Sequence, residues 1–522
     1  MNEFILHHAE KIIGVLRGFD RMRFRGTLRR ISSASGMETY LKYMHVFLKH
    51  FGTWSKSTTE VLRQASEESE AFQGRPNIYL DNPKVSKEDL AKSIAKRDAI
   101  EEGPICILRA VEPCWTFDFK GDKAAKQINI VSKPRKCLHI YQYQIHPQLG
   151  FMHARLQTWA PFNIKICING REWLRRQLDL EKIRYVKKEN CFIEIVDIEK
   201  AQTLMDQQLA TKWVKLLEEI TGALSPAHQK VFSNYPLQYY WSLDESEWAT
   251  DIMFKDEWAL TPLYETLIRY GITTFGSRDV LRFLGRSVPM QGGIRADFIG
   301  EATTSLKQRA EGIRIKHQVN ANSVKMYNKQ GSVLRVETTI NRPREFKVFR
   351  KAENAPKSQK PTWRYLRKGV ADLKRRARVA DACNERYLAA LASVEQATTL
   401  REITQPITRP VSWKKGKVRP LNVFRVEDAD LLHAVSRGEF NVNGFRNRDL
   451  RAILFKPCAD PQRNKRLSAL VTRKLRLLRA HGIIAKVSHT HRYLLNEKGK
   501  LLCAALDAAA NANTQQLLKI AA

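Results

Sequence analysis

The chain has 522 residues, 43% of them hydrophobic, and its 89 Lys and Arg against 54 Asp and Glu leave a net charge of +35. That length supports about two to four domains with cores of their own, and the hydrophobic content excludes a disordered basic tail. The surplus is uneven: residues 341–420 carry 21 basic against 7 acidic side chains and residues 421–522 carry 18 against 8, a field that draws in phosphate polymers or an acidic membrane surface.

Eight cysteines, at 106, 114, 137, 167, 191, 383, 458 and 503, form no C-x-x-C pair and no zinc-module spacing, so reduced thiols in a cytoplasmic protein are expected. No apolar run has the length of a membrane span, and the N-terminus lacks the apolar centre of a signal peptide, so no membrane partner is expected.

In chain order, residues 1–103 read as an N-terminal α/β segment. Between Arg21 and Arg29, period-2 alternation puts Met22, Phe24 and Leu28 on one face of a strand and Arg21, Arg23, Arg25 and Arg29 on the other. Such a ladder either tracks phosphates or keeps an edge strand soluble. Helical pattern follows over Gly36–Phe51 and Lys87–Glu101.

Residues 104–259 read as an α+β domain with strands at Ile105–Val111, Trp115–Lys120, Gln127–Val131, Lys136–His146, Gly150–Trp159 and Asn163–Asn169, then helices over Glu172–Leu180 and Ala201–Thr221. His139, His146 and His153 lack the close spacing of a metal-binding pair and read as structural. Trp241, Trp248 and Trp258 are expected in the core.

Residues 260–353 read as a helix pair within Leu260–Leu284, its second helix capped by Ser277, followed by three antiparallel strands over Gly312–Val319, Ser323–Lys329 and Ser332–Ile340. Alternation sends Ile315, Val324, Met326, Leu334 and Val336 inward. It sends Arg314, Lys316, Lys325, Tyr327, Lys329, Arg335 and Glu337 outward, a cationic sheet face suited to nucleic acid. A Lys/Pro linker over Asn354–Thr362 precedes a long basic helix at 363–403, where Lys374, Arg375 and Arg376 could lie along a phosphate backbone; a second linker covers 404–420.

Residues 421–522 give the clearest local signals. Helices are expected at Asp428–Phe440, Phe445–Phe455 and Gln462–His481, the last closed by Gly482. Leu467, Leu470, Val471, Leu475 and Leu478 recur at helical spacing and form its buried stripe, while Arg466, Thr472, Arg473, Arg476 and Arg479 fall mostly outside it. No acid lies between Arg463 and Arg479. Strands at Ile483–Ser488 and Arg492–Leu495 make a small hairpin, and a helix runs from about Gly499 to Ile520.

This order, with the run "LLRAHGIIAKV" into the hairpin, resembles the winged-helix domains of MarR-type bacterial regulators over roughly the last hundred residues. The resemblance implies a third helix in the major groove and a wing on the backbone or minor groove. It therefore assigns Thr472, Arg473 and Arg476 to the groove and His489, His491 and Arg492 to the wing. The run "VKMYNKQGSVLRVETTIN" within 312–341 resembles, over a shorter span, a hairpin of plasmid and phage replication initiators.

No Gly-rich phosphate loop, nucleophile elbow or metal-binding helix motif is present. The carboxylates in strand contexts are Asp20, Asp118, Asp251 and Glu337, and of these Asp251 and Glu337 are the candidates for holding Mg²⁺ if the chain is a nuclease or transposase; no other cofactor is expected. The sequence thus predicts an α+β multidomain protein with mixed or antiparallel sheets in its N-terminal and central parts, a basic helical segment and a C-terminal winged helix-turn-helix. The expected partner is double-stranded DNA, with structured RNA as the alternative, and the expected setting is cytoplasmic and nucleoid-associated, in replication initiation or a mobile element. A metal-dependent nuclease or transposase and an RNA-binding component of a ribonucleoprotein are the other readings.

Overall fold

The computed structural model describes residues 2–512 except 83, 123, 125, 225–230, 233–234, 236, 287–300, 310–311, 353–355, 357, 359, 393–399, 414–415, 441–443 and 489. The chain is α+β and divides into two units, one formed by Gly14–Thr250 with Thr339–Asp381, the other by Met1–Ile13, Asp251–Thr338 and Ala382–Ala522.

The first unit is built on a large mixed sheet in the order β9-β1-β6-β5-β4-β3-β2. Its strands are β1 (Ile12–Leu28), β2 (Asn77–Leu80), β3 (Gly103–Asp122), β4 (Gln127–His146), β5 (Gly150–Gln157), β6 (Ile164–Asn169) and β9 (Tyr239–Phe254); β7 (Tyr185–Lys188) and β8 (Cys191–Ile195) form a separate hairpin. β2 and β3 run parallel, whereas β3 with β4, β4 with β5, β5 with β6 and β6 with β1 are antiparallel.

The four short strands expected between Ile105 and His146 are two strands of 20 residues each. Pro113 and Pro134 break the pattern in the sequence, yet both lie where β3 and β4 have an unpaired outer edge, beyond Ala110 and before His139. An edge tolerates a residue without an N–H.

Helices α1 (Ala34–Tyr43), α2 (Phe51–Glu67), α3 (Lys87–Arg97), α4 (Gly170–Leu180), α5 (Ile198–Asp206) and α6 (Trp213–Leu224) belong to the same unit. Gln142 Nε2 donates to Ser66 Oγ of α2 at 3.3 Å, and Phe24 meets Trp213 of α6 at 5.0 Å, so α2 and α6 back the apolar face of the sheet. On the opposite face α3 packs Ala91 and Ile94 over Leu108, Tyr141 and Tyr143. A hairpin of β14 (Lys347–Arg350) and β15 (Thr362–Tyr365) completes the unit. The helix expected from Trp363 therefore begins only at Leu373, as α9 (Leu373–Leu391), because Thr362–Tyr365 pairs as a strand.

In the second unit β10 (Ala302–Arg309), β11 (Gly312–Val319), β12 (Asn322–Lys329) and β13 (Val333–Ile340) lie side by side, with the last residues of β9 against β13. Helices α7 (Glu257–Thr273) and α8 (Ser277–Phe283) are the expected pair. Gly276, not Ser277, caps α8: its N–H donates to Asp279 Oδ2 at 2.9 Å. Trp241 and Trp248 are buried, but Trp258 is 81% exposed at the start of α7, against expectation, since the first turn of that helix projects outward.

The C-terminal part of this unit has its own core. Leu431, Val435, Phe440, Phe445, Leu450, Val471, Leu475, Leu478, Ile483 and Leu502 pack together. They come from α10 (Val426–Ser436), α11 (Asn447–Leu454), α12 (Pro461–Ala480), α13 (Glu497–Asn511) and the segments between them, and Ile484 of β18 (Ile484–Lys486) and Leu495 of β19 (Tyr493–Leu495) join the same core. The short pair β16 (Val411–Trp413) and β17 (Gly416–Val418) precedes them. Past Ala512 the expected final helix lies outside the described residues. Among the described residues no helix is long and apolar enough to cross a membrane.

Candidate nucleic-acid interface

Local chemistry defines both ends of α12. Asp460 accepts from Gln462 N at 2.9 Å and Pro461 supplies the first turn, the expected start of a helix. At the other end Gly482 adopts φ +65°, and Gly482 N and Ile483 N donate to Arg479 O and Leu478 O, the left-handed closure that glycine permits without strain.

Between those ends Val471, Leu475, Leu477 and Leu478 are buried, and Leu467 and Leu470 are half-buried. Arg463, Lys465, Arg466, Thr472, Arg473 and Arg476 are exposed, while Arg479 is half-buried. Arg476 and Arg479 lie 5.6 and 5.4 Å from the Trp413 ring centroid, close enough for cation–π attraction. Trp413 is a residue that the sequence reading missed, since the pairing of β16 with β17 is what delivers it. Thr472 Oγ1 accepts from Asn447 Nδ2 at 2.9 Å and donates to Ser468 O, and so also braces α12 against α11.

The hairpin after α12 is short. Ile484 pairs with Leu495 and Lys486 with Tyr493, and Phe445 joins Tyr493 through two backbone hydrogen bonds of 2.8 Å. That bridge needs Gly444: it has φ +64°, and a Cβ there would sit 2.4 Å from Tyr493 O. At the tip His491 is exposed and Arg492 half-buried, and Arg492 N donates to Thr490 Oγ1 at 3.1 Å. His489 lies outside the described residues.

The cations expected on an outward face of β12 and β13 are buried. All eight residues of β13 are buried, and so are Lys325 and Lys329 of β12; Tyr327 is half-buried. Arg335 makes a two-pronged ion pair with Asp251, Nε to Oδ1 at 2.6 Å and Nη2 to Oδ2 at 2.9 Å, both side chains being 1% exposed. Lys325 Nζ meets Glu337 Oε1 at 2.6 Å, and Lys329 Nζ sits 4.7 Å from the Tyr327 ring. Asp251 and Glu337, the candidate Mg²⁺ ligands, thus each face a buried side-chain cation. Alternation misled here because a strand covered on both sides can place paired charges where a half-exposed strand would place solvated ones.

In the other unit the arginine ladder of β1 exists, but not at an edge: β1 lies between β9 and β6. Arg21, Arg23 and Arg25 stand opposite Asn169, Cys167 and Lys165, and Lys165 opposite Arg155 of β5, so these cations share one face. Carboxylates answer them. Arg23 meets Glu245 at 2.9 Å, Arg21 meets Glu247 at 3.5 Å, Lys165 meets Asp244 at 3.4 Å and Arg155 meets Glu112 at 2.8 Å. Glu247 holds the Arg21 guanidinium firmly charged. Of the basic run on α9, Lys374 is exposed, Arg375 pairs with Asp372 at 2.8 Å, and Arg376 is 1% exposed with its guanidinium on Leu243 O and Ile340 O.

No protein-family model matches this sequence, and neither curated proteins nor solved structures give a match.

The β3–β4 register also gathers a group that linear spacing concealed. Cys114 Sγ and Cys137 Sγ are 3.0 Å apart, and one donor atom from each of Cys114, Cys137 and His139 lies within 4.8 Å of the others. Cys114 stands opposite Arg135, two residues from Cys137, which makes the thiols diagonal neighbours. The two thiols share a hydrogen bond in which either sulfur can donate; with one proton held between them, that bond and His139 keep Cys114 low, while Cys137 is pushed up by the same bond and by burial. Two sulfurs and an imidazole are donors that could hold a zinc-like cation.

Proposed function

We propose that this protein binds nucleic acid and holds duplex DNA with a C-terminal winged helix-turn-helix, in which α12 enters the major groove and the β18–β19 hairpin is the wing. The observation that carries this reading is the unbalanced face of α12. Arg463, Lys465, Arg466, Arg473 and Arg476 are exposed on a helix that contains no acid. Like charges on one surface repel, and a phosphate polymer relieves that repulsion by releasing its counterions. The order of three helices followed by a hairpin on a shared core supports the same assignment. Replication initiation or a mobile-element role suits a chain in which this module is only the final fifth.

A nuclease or transposase built on Asp251 and Glu337 has little support. Each already has a buried cation partner, and a two-metal site needs carboxylates free to bind metal.

The test is gel-shift or anisotropy with the full-length protein, duplex DNA and structured RNA. Wild type is expected to bind duplex DNA, and the Arg473→Ala, Arg476→Ala double variant to lose about one to two orders of magnitude in affinity. Equal affinity of the two proteins would remove α12 from the interface; binding to structured RNA alone would transfer the module to an RNA partner.

A further inference from the structure

The β14–β15 hairpin exposes an aromatic surface that the duplex reading does not use. In its register Lys347 opposes Tyr365 and Phe349 opposes Trp363. Opposed residues of an antiparallel pair share a face, as do residues two apart along a strand. Lys347, Phe349, Trp363 and Tyr365 therefore form one face, and Val348, which is 9% exposed, points to the other. Phe349, Trp363 and Tyr365 are 60%, 68% and 58% exposed. The Phe349 and Trp363 ring centroids are 5.7 Å apart, and Lys347 Nζ lies 5.5 Å from the Tyr365 ring.

Three large rings gathered on one two-stranded ribbon are costly to leave in water, and a patch of this kind marks a binding surface. The surrounding charge selects the occupant. Arg342, Arg344, Lys347, Lys351, Lys360 and Lys368 are all exposed on these strands or in the sequence that flanks them, Lys368 with Asp244 at 3.4 Å, and residues 341–368 contain ten Lys or Arg against two Glu. A polyanion with free planar faces meets both requirements. Duplex bases already spend their faces on one another, whereas unpaired bases stack on aromatic side chains whatever their sequence.

We propose that Phe349, Trp363 and Tyr365 form a stacking platform for single-stranded nucleic acid, with the neighbouring Lys and Arg holding its phosphates. The site extends the nucleic-acid reading above but belongs to a different unit and a different strand state, so the two stand or fall separately.

The experiment measures anisotropy of labelled oligo(dT) and oligo(U), and of a labelled duplex, with full-length wild type, Phe349→Ala, Trp363→Ala, Trp363→Phe and the Arg473→Ala, Arg476→Ala variant. Each alanine at a ring is expected to weaken single-strand binding roughly tenfold, with Trp363→Phe close to wild type and duplex binding unchanged. Far-UV circular dichroism of each variant establishes that the fold persists. The platform is overturned if wild type ignores both single strands, or if the alanine variants bind them as tightly. Retained single-strand binding with lost binding to anionic phosphatidylserine vesicles would assign the rings to a membrane and also overturn it. Should wild type bind single strands but not the duplex, the platform stands and the α12 assignment falls.

Discussion

Helix α12 carries seven Lys or Arg in 20 residues and the strand pair β12–β13 three in 16, and the two regions spend that charge in opposite ways. On α12 Arg463, Arg466, Arg473 and Arg476 are exposed with no acid on their helix. On β12–β13, Arg335 and Lys325 are buried against Asp251 and Glu337. The difference teaches that a positive run marks a phosphate footprint only where its charges are left unanswered. By that standard the β1 ladder is intermediate, because Arg21 and Arg23 reach solvent yet Glu245 and Glu247 stand beside them.

The comparison breaks most readily at the buried pair. Arg335→Ala strands a buried carboxylate and is expected to cost about 3–5 kcal/mol, read as a lowered denaturant midpoint of the unit's transition. Arg473→Ala, on the exposed face, is expected to leave that midpoint in place. Equal midpoints for the two variants would erase the distinction between answered and unanswered cations.

Acid should probe the same unit from a second direction. Burial holds the His317 imidazole low, at about 4 instead of 6.5, between Thr304 Oγ1 at 2.9 Å and the Tyr387 hydroxyl at 3.2 Å. The unfolded chain takes up the proton first. This contribution is complete above about pH 6.5 and is lost as pH falls toward 4. His317→Gln should flatten the loss of stability across that window in a pH series of denaturant melts; an identical slope in the variant would show that the group titrates normally.

The smallest effect concerns reactivity alone. With its thiol held low by Cys137 and His139, Cys114 should be alkylated by iodoacetamide at mildly acidic pH before any other cysteine. Mass spectrometry of the labelled peptides reads the order, and modification of Cys458 ahead of Cys114 would contradict it.

What could be read in the sequence follows the range of the forces involved. The Asp460-Pro461 start, the Gly482 stop and the leucine stripe of α12 are signals within one helix, so their reading needs no partner. Arg335 and Asp251 are 84 residues apart, and nothing in the alternation of β13 distinguishes an outward arginine from one neutralised across the sheet. The Cys114–Cys137–His139 group depends on strand register, and the Phe349–Trp363 face on pairing across a linker; Trp363 reads as the start of a helix because its strand is only four residues long. The fold class was legible, as was the layout of α12 with its hairpin. The distinction between exposed and paired charge is set by packing across the sheet, between residues far apart in the chain.

The most direct measurement is the salt dependence of duplex DNA binding by the full-length protein. If α12 lies on phosphates, the log–log slope of wild type is steep and becomes shallower by about 0.9 for each phosphate no longer neutralised, close to 3 in the Arg466→Ala, Arg473→Ala, Arg476→Ala variant, while Lys325→Met leaves it unchanged. A triple variant with the wild-type slope, or a wild type that binds no duplex at low salt, would contradict the account.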